Sequence, residues 1–431
     1  MIKQTEILVI GGGPAGLSAA CAAAELGASV LLCERDYLPG GQLVKQTHKF
    51  FGSEKQYAGE RGIHIGNLLI EKAKHHPNIE ILTEATVLGI YEDGIVTVFY
   101  HGKHMKIRPS KIILATGASE KFLEFPGNDL PGIYGAGAVQ TLMNVAGVKP
   151  AERVLMVGAG NIGLIVSYQL MQAGVEVAGI IEAAPKIGGY LVHASKIRRA
   201  GVPIRTGYTI EKAYGTDALE GVVIVQVDSQ FQPVPGTEET IPCDTLCLAV
   251  GLAPLTELCW QAGCDMAFIR ELSGHIPLTD ENLETSVPGV YAAGDVSGIE
   301  EASSAMVEGR LAGCAAAESL GYEPVRAAAE KEAARESYVR ELAQLNGRRE
   351  ETLGQIKKKY NRQIREVADK QPVLRLLQLN HLPKESRKQM QKKSFAYPVH
   401  CKEIHEPVGA PRFLLSDNHK HRILQYSSSP S

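Results

Sequence analysis

The pattern Gly-x-Gly-x-x-Gly occurs twice in this chain of 431 residues, each time in the same setting. Gly11, Gly13 and Gly16 follow the apolar run Ile7-Leu8-Val9-Ile10. Gly158, Gly160 and Gly163 follow Val154-Leu155-Met156-Val157. When the copies are laid side by side, Gly27 and Val30 fall on Gly174 and Val177. Each copy then runs through a second apolar stretch and ends on an acid, Glu34 in the first and Glu182 in the second. Apolar strand, tight turn, helix of small and apolar residues, second strand: this is the start of a βαβ unit, used twice. A chain built this way is committed to parallel sheets covered by helices.

Each glycine of the pattern has a physical task. The first (Gly11, Gly158) permits the sharp turn out of the strand. The second (Gly13, Gly160) lets the backbone approach a pyrophosphate, and the third (Gly16, Gly163) lets the helix lie close to the strand. The helix then offers free N–H groups and the positive end of its dipole to phosphates. Glu34 and Glu182 stand where an acid accepts hydrogen bonds from a ribose 2′-hydroxyl. A 2′-phosphate would be repelled by Glu182, and Ala183-Ala184-Pro185-Lys186 supplies no arginine to bind one. The second motif therefore predicts NAD(H) in preference to NADP.

The segments after each unit repeat as well. Ala85 to Ile90, Ile95 to Tyr100 and Lys103 to Ile107 alternate with period two around the turns Asp93-Gly94 and His101-Gly102, which predicts a meander. It runs into Lys111 to Leu114 and then Ala115-Thr116-Gly117. A similar series, Thr209 to Ala213, Val222 to Val227 and Glu238 to Ile241, runs into Thr245 to Val250 and Gly251. A late strand, Gly289 to Ala293, precedes Gly294-Asp295 and an alanine-rich helix from about Glu300 to Leu320. This order predicts an α/β fold of two Rossmann-like three-layer dinucleotide-binding domains, the second inserted in the first, plus a helical C-terminal extension. The expected boundaries are 1–117 and 275–322 for the first domain and 118–274 for the second. Residues 323–382 are expected to form a polar helical extension, and 383–431 an irregular or disordered basic tail.

Composition excludes several classes. No apolar run reaches the length of a membrane span. A strand-like run begins almost at once, so no signal peptide is expected. The eight cysteines are scattered without a Cys-x-x-Cys pair, which predicts a reducing, cytoplasmic setting. The thirteen histidines show no metal-ligand spacing, so no metal site is expected. The net charge of −3 conceals an acidic body and a basic stretch from Arg326 onward. That stretch docks on an acidic partner, folds back on the body or is a solvated helix. It lacks interleaved aromatics, so no nucleic acid is expected.

Val9-Ile10-Gly11-Gly12-Gly13-Pro14-Ala15-Gly16, Ala115-Thr116-Gly117, Gly158-Ala159-Gly160-Asn161-Ile162-Gly163 and Tyr291-Ala292-Ala293-Gly294-Asp295 resemble the two-dinucleotide-binding-domain flavoproteins, among them thioredoxin and glutathione reductases. The resemblance covers about residues 5 to 322. It implies FAD on the first unit and a pyridine nucleotide on the second. It assigns cofactor contacts to Gly11, Gly13, Pro14, Ala15, Gly16, Glu34, Arg35, Gly41, Gln42, Val87, Ala115, Thr116, Gly117, Gly294 and Asp295 in the first unit. In the second it assigns them to Gly158, Gly160, Asn161, Ile162, Gly163, Glu182 and Gly251. Gly40-Gly41-Gln42 resembles the flavin-contacting loop of the thioredoxin reductase branch, and Asp295 stands where an acid bonds a ribityl hydroxyl.

One departure narrows the choice. The redox cysteine pair of disulfide reductases is missing both from Pro39 to His48 and from residues 134–170. What remains resembles the FAD/NAD-type subunits of heteromeric proline and hydroxyproline dehydrogenases, opine oxidase, sarcosine oxidase and hydrogen cyanide synthase. That implies hydride exchange between FAD and NAD(H), the partner being a second catalytic or electron-transfer subunit. Two alternatives stand: an electron-transfer or scaffold subunit with a non-catalytic second site, and a stand-alone NADH-dependent reductase of ferredoxin, rubredoxin or quinone. A homo-oligomer is also open. Lys45 and His48 follow the flavin loop and face the isoalloxazine, a substrate or solvent. Arg61 serves either a substrate carboxylate or a surface ion pair.

Overall fold

The computed structural model describes residues 2–50 and 53–344. The chain opens with β1 (Ile2–Ile10), α1 (Pro14–Glu25) and β2 (Val30–Cys33), followed by α2 (Gly62–Lys74) and β3 (Ile79–Leu82). Three antiparallel strands come next: β4 (Ala85–Ile90), β5 (Val96–Tyr100) and β6 (Lys103–Leu114). They join one sheet in the order β3-β2-β1-β6-β5-β4, in which β1 pairs in parallel with β2 and β6. Ile7 to Ile10 and all of β2 are buried. Helices cover the sheet around them, which is why these strands read as unbroken apolar runs and not as alternations.

The second unit begins with β7 (Ala118–Glu120), β8 (Ile133–Gly135) and α3 (Ala136–Asn144). It continues through β9 (Arg153–Val157), α4 (Asn161–Gln172), β10 (Glu176–Glu182), α5 (Leu191–Arg199) and β11 (Ile204–Thr206). Strands β12 (Tyr208–Tyr214), β13 (Gly221–Gln226) and β14 (Glu239–Pro242) form a separate antiparallel sheet, unlike their counterparts in the first unit. Strand β15 (Thr245–Leu248) returns to a parallel sheet of order β11-β10-β9-β15-β8. Then β16 (Leu252–Pro254) pairs antiparallel with β7, so the two strands that lead into and out of the second unit are bonded to each other.

After α6 (Glu257–Gln261) and the hairpin β17 (Met266–Ile269) and β18 (Gly274–Pro277), β19 (Val290–Ala292) pairs in parallel with β6. The first sheet is thus completed by a strand that lies beyond the second unit in sequence, as the order of motifs predicts. Helix α7 (Ala302–Ser319) comes next and packs on α1 almost backbone to backbone. A Cβ added to Gly309 would stand 2.0 Å from the Ala15 carbonyl oxygen, and one on Gly313 would stand 2.3 Å from that of Ala19. The alanines and glycines of both helices are therefore a condition of the contact. Gly309→Val should force the helices apart and lower stability by about 1–3 kcal/mol or more, read as a drop in the urea midpoint. An unchanged midpoint would show that the contact yields freely.

Helix α8 (Pro324–Gln344) opens the basic stretch and lies against α7. Lys331 pairs with Glu318, Arg310 of α7 pairs with Glu330, and Arg335 donates to Asn282 Oδ1 at 2.9 Å. The described part of this stretch folds back on the body. The rest of the expected helical extension and the 383–431 tail lie outside the described residues.

Candidate nucleotide sites and the cleft between them

The two glycine motifs adopt one geometry. Gly11 (φ +106°) receives the Ala115 carbonyl where a side chain would be, 2.3 Å from an added Cβ. Gly158 (φ +102°) receives that of Ala249, also at 2.3 Å. A Cβ on Gly16 would overlap Gly11 O at 1.8 Å, and one on Gly163 would overlap Gly158 O at 2.0 Å. The strand-to-helix turn closes only with glycine at these four positions. The helices start with Leu17 N–H donating to Gly13 O at 2.9 Å and Leu164 N–H donating to Gly160 O at 3.1 Å. The preceding first-turn N–H groups have no intrahelical partner and face outward. A Cβ on Gly160 would meet nothing within 4 Å, and the nearest atom to one on Gly13 is 3.9 Å away. The space before each helix is open and fits a pyrophosphate.

The acids repeat as closely. Glu34 is buried, and its Oε2 accepts from Gly12 N–H at 2.7 Å and its Oε1 from Asp36 N–H at 2.9 Å. Glu182 Oε2 accepts from Ala159 N–H at 2.9 Å and its Oε1 from Ala184 N–H at 3.0 Å. Each carboxylate is held by its own motif and by the residue two further on. It keeps further lone pairs able to accept hydrogen bonds. Next to each acid, Arg35 and Ala183 continue the chain outward, and Arg35 is exposed.

The likeness between the units extends to the loops over the motifs. Gly40 N–H donates to Gly12 O at 2.7 Å, and Gly189 N–H donates to Ala159 O at 2.9 Å. Gly41 and Gln42 thus begin a short turn over Gly13 and Pro14, and Gly188-Gly189 covers Gly160 and Asn161. At the strand ends, Ala115 N–H donates to Ile10 O at 2.9 Å and Ala249 N–H to Val157 O at 2.7 Å. Gly117 and Gly251 come next with positive φ; their carbonyls accept from Leu255 N–H and Lys121 N–H respectively, each at 3.0 Å, and Thr116 Oγ1 donates to Leu255 O at 2.7 Å. Val87 lies farther off, half-buried on β4 against the core below the meander. Ile162 is exposed at the start of α4.

Gly294 and Asp295 follow β19 directly, and sequence reasoning missed what holds them. Glu308, buried on α7, accepts from Gly294 N–H at 2.8 Å and from the Ser297 hydroxyl at 3.2 Å. Asp295 Oδ1 accepts from Glu300 N–H at 3.3 Å, and Tyr338 of α8 donates to the Glu300 carboxylate at 2.8 Å. The one signal for Glu308 in the sequence is an acid amid the small residues of an otherwise buried helix.

A small open cleft lies between the segment after the Gly40-Gly41 loop, the start of α7 and the second motif. Gln46, His48 and Phe50 line it from the segment after the Gly40-Gly41 loop, and Glu301 to Ser303 from the start of α7. Asn161 and Ile165 come from the first turn and a half of α4, and Tyr190 and His193 from the start of α5. Tyr190 N–H donates to Asn161 Oδ1 at 2.8 Å, which ties α5 to the second motif. His48 stacks on Phe50, ring centroids 5.6 Å apart. Burial, reinforced by His193 and Lys196, pushes its pKa down to about 4, so the ring is neutral at physiological pH. Burial, then Lys196, lowers His193 too.

The three candidate side chains fare differently. His48 is at the cleft. Lys45 is half-buried and does not line the cleft: its ammonium donates to Gly137 O at 3.0 Å, and burial, partly offset by Glu120 and Asp36, lowers its pKa. With Asn144 Nδ2 donating to Lys45 O at 2.7 Å and Gln169 Nε2 donating to Thr47 Oγ1 at 2.8 Å, this segment is pinned to the second unit. Arg61 is exposed at the start of α2 and does not line the cleft. No cluster of His, Cys, Asp or Glu suited to a metal occurs among the described residues. No described helix is long and apolar enough to cross a membrane.

Comparison with known proteins agrees with this architecture. The opine oxidase A subunit of Agrobacterium tumefaciens (strain Ach5) is 30% identical over 332 residues, 73% of this chain and 66% of that protein. The match thus spans just under two thirds of that relative's length. Hydrogen cyanide synthase subunit HcnB of Pseudomonas protegens is 29% identical over 357 residues, 78% of this chain and 75% of that one. Among solved structures, L-proline dehydrogenase from P. horikoshii superposes with a TM-score of 0.60 at 23% identity, covering 77% of this chain and 60% of that one. Thioredoxin reductase from T. acidophilum gives 0.61 at 22%, covering 74% and 99%. Both structures share the fold. The family model for pyridine nucleotide-disulphide oxidoreductases matches residues 5–309, and the chain belongs to that family of flavin-dependent oxidoreductases.

Proposed function

We propose that the chain exchanges a hydride between FAD, bound by the first motif, and NAD(H), bound by the second, as one subunit of an amino-acid or amine dehydrogenase complex. The observation that carries this reading is a cleft lined by the first residues of both α7 and α4. In the first domain, residues 1–117 and 275–322, Glu34 and Asp295 hold the two ends of FAD, and the α7 N-terminus favours the negative charge that collects on a reduced flavin. In the second, residues 118–274, Glu182 selects NAD over NADP by repelling a 2′-phosphate. Hydride chemistry is supplied by the flavin. The protein's own residues bind the two nucleotides, aim them at one cleft and line it.

The reading excludes disulfide reduction. Seven cysteines lie among the described residues, and all are free and buried. Burial pushes the thiols of Cys21, Cys243 and Cys314 up to about 11 and those of Cys33 and Cys259 to about 12, far from the thiolate that exchange chemistry needs. The opine oxidase and hydrogen cyanide synthase relatives are by name subunits, which supports a protein partner. The free thiols support a reducing cytoplasm.

Anaerobic mixing of the purified yellow protein with NADH is the test. The expected result is rapid loss of flavin absorbance with NADH and a slower loss with NADPH. No loss with either would overturn the reading in favour of the electron-transfer or scaffold subunit. Onward transfer to ferredoxin, rubredoxin or quinone without a partner would favour the stand-alone reductase.

A further inference from the structure

Helix α8 lies beyond residue 309, where the family match ends, yet it bonds to four separate parts of the first domain. Arg310 and Glu318 of α7 pair with its Glu330 and Lys331. Asn282 Oδ1 accepts from Lys331 at 3.2 Å and from Arg335 at 2.9 Å. Gln56 Nε2 donates to Ser337 Oγ at 3.4 Å. The fourth contact reaches the segment between Asp295 and α7. The Tyr338 hydroxyl lies 2.8 Å from both Oε1 and Oε2 of Glu300, and the half-buried Tyr338 ring packs against the cluster that holds Val307 and Leu311 of α7. Resting on the reading of Asp295 and the α7 N-terminus as flavin contacts, we propose that Tyr338 is a positioning residue for the flavin site and acts through Glu300.

The segment from Asp295 to α7 is held at both ends. It begins with a short turn, Asp295–Ser297, passes Gly298 (φ +129°) and enters α7 at Ala302. Glu308 fixes the first end through Gly294 N–H and the Ser297 hydroxyl. Toward the other end, Glu300 N–H donates to Asp295 Oδ1 at 3.3 Å. That is long for a charge-assisted bond, which is best at about 2.7–2.9 Å. The bond from Tyr338 is the shorter one, and it ties the Glu300 carboxylate to α8. Asp295 thereby keeps its place relative to α7. The Glu300 charge is also engaged by a hydroxyl close to the helix end that favours negative charge on a reduced flavin. A carboxylate released there would compete for the same field and oppose that charge.

The experiment measures FAD affinity and the flavin midpoint potential on the full chain. Tyr338→Phe keeps the ring against Val307 and Leu311 and removes the hydroxyl alone. It should weaken FAD by about 10-fold or more, the worth of one hydrogen bond to a charged group. It should weaken the reduced form more than the oxidised one, which makes the potential more negative; a tenfold difference between the two forms is about 30 mV for a two-electron couple. Adding Glu300→Gln to Tyr338→Phe should bring the potential back toward wild type, because no charge is left to release. Lys331→Met loosens α8 at Glu318 and Asn282 and should lower the urea midpoint without moving the potential. An unchanged potential in Tyr338→Phe, whatever its stability, would show that α8 only packs and would overturn the positioning role. An equal shift in Lys331→Met would overturn it too. Failure of wild type to bind FAD would instead overturn the reading of the first motif, and the role of Tyr338 with it.

Discussion

Glu34→Leu should yield a colourless protein, and Glu182→Leu a yellow one that no longer responds to NADH. The two acids are bound alike, so the difference between the variants reports which nucleotide each serves. Glu34 accepts two backbone N–H bonds, from Gly12 at 2.7 Å and Asp36 at 2.9 Å, in a buried turn. Leucine would leave both donors unpaired and offer nothing to a ribose. Hydrogen bonds to a charged group are worth about 1.5–3 kcal/mol each, so a ribose that loses two of them to the carboxylate weakens FAD binding by on the order of 100-fold or more. Glu182 holds the N–H groups of Ala159 and Ala184 at 2.9 and 3.0 Å, and the same loss applies to the second nucleotide. The measurements are FAD content after purification and the rate of flavin bleaching by NADH. If Glu182→Leu also lost its flavin, the two sites would not be separate, and the assignment of one nucleotide to each motif would fall.

Much of this arrangement is legible in the sequence because glycine and acid positions report local geometry. A turn that places a carbonyl 2.3 Å from a would-be Cβ admits one residue type, so Gly11 and Gly158 announce the turn by themselves. The insertion of the second unit is legible for a similar reason: the strand before Gly294-Asp295 has no place in the second repeat, and it pairs with β6 of the first sheet. Contacts between segments distant in the chain are not legible. Nothing in Lys45 announces that its ammonium finds the carbonyl of Gly137, because that depends on where α3 begins relative to the loop over the first motif. Glu308 is silent for another reason. Helical periodicity marks a face but not the partner across it, and its partners, Gly294 N–H and Ser297, lie in a turn. Arg61 has the right chemistry for a carboxylate, yet its place is set by the entry into α2, where it is exposed and outside the cleft. The basic stretch could be read for sign alone; that α8 uses Lys331 against Glu318 depends on where α7 lies.

His48 also gives the stability of the protein a pH dependence that can be checked. In the unfolded chain its imidazole titrates near 6.5, whereas in the fold burial, His193 and Lys196 hold it at about 4. Between those values the unfolded state binds more protons than the folded one, so stability falls as pH drops from about 6.5 through about 4. Above 6.5 the ring is neutral in both states and contributes no pH dependence. The gap between 6.5 and about 4 corresponds to about 3 kcal/mol, all of it lost once pH is below about 4. His193, lowered for the same leading reason, adds in the same direction. Acidic groups such as Glu6, lowered by its bond from Tyr322 and by Ser29, also destabilise the fold in acid, so the slope of wild type alone does not isolate the histidine. His48→Phe does: phenylalanine keeps an aromatic ring against Phe50 and cannot take a proton. Urea unfolding at neutral pH and at about pH 4 should show wild type losing about 3 kcal/mol more than the variant. Equal losses would mean that His48 is protonated at no cost in the fold.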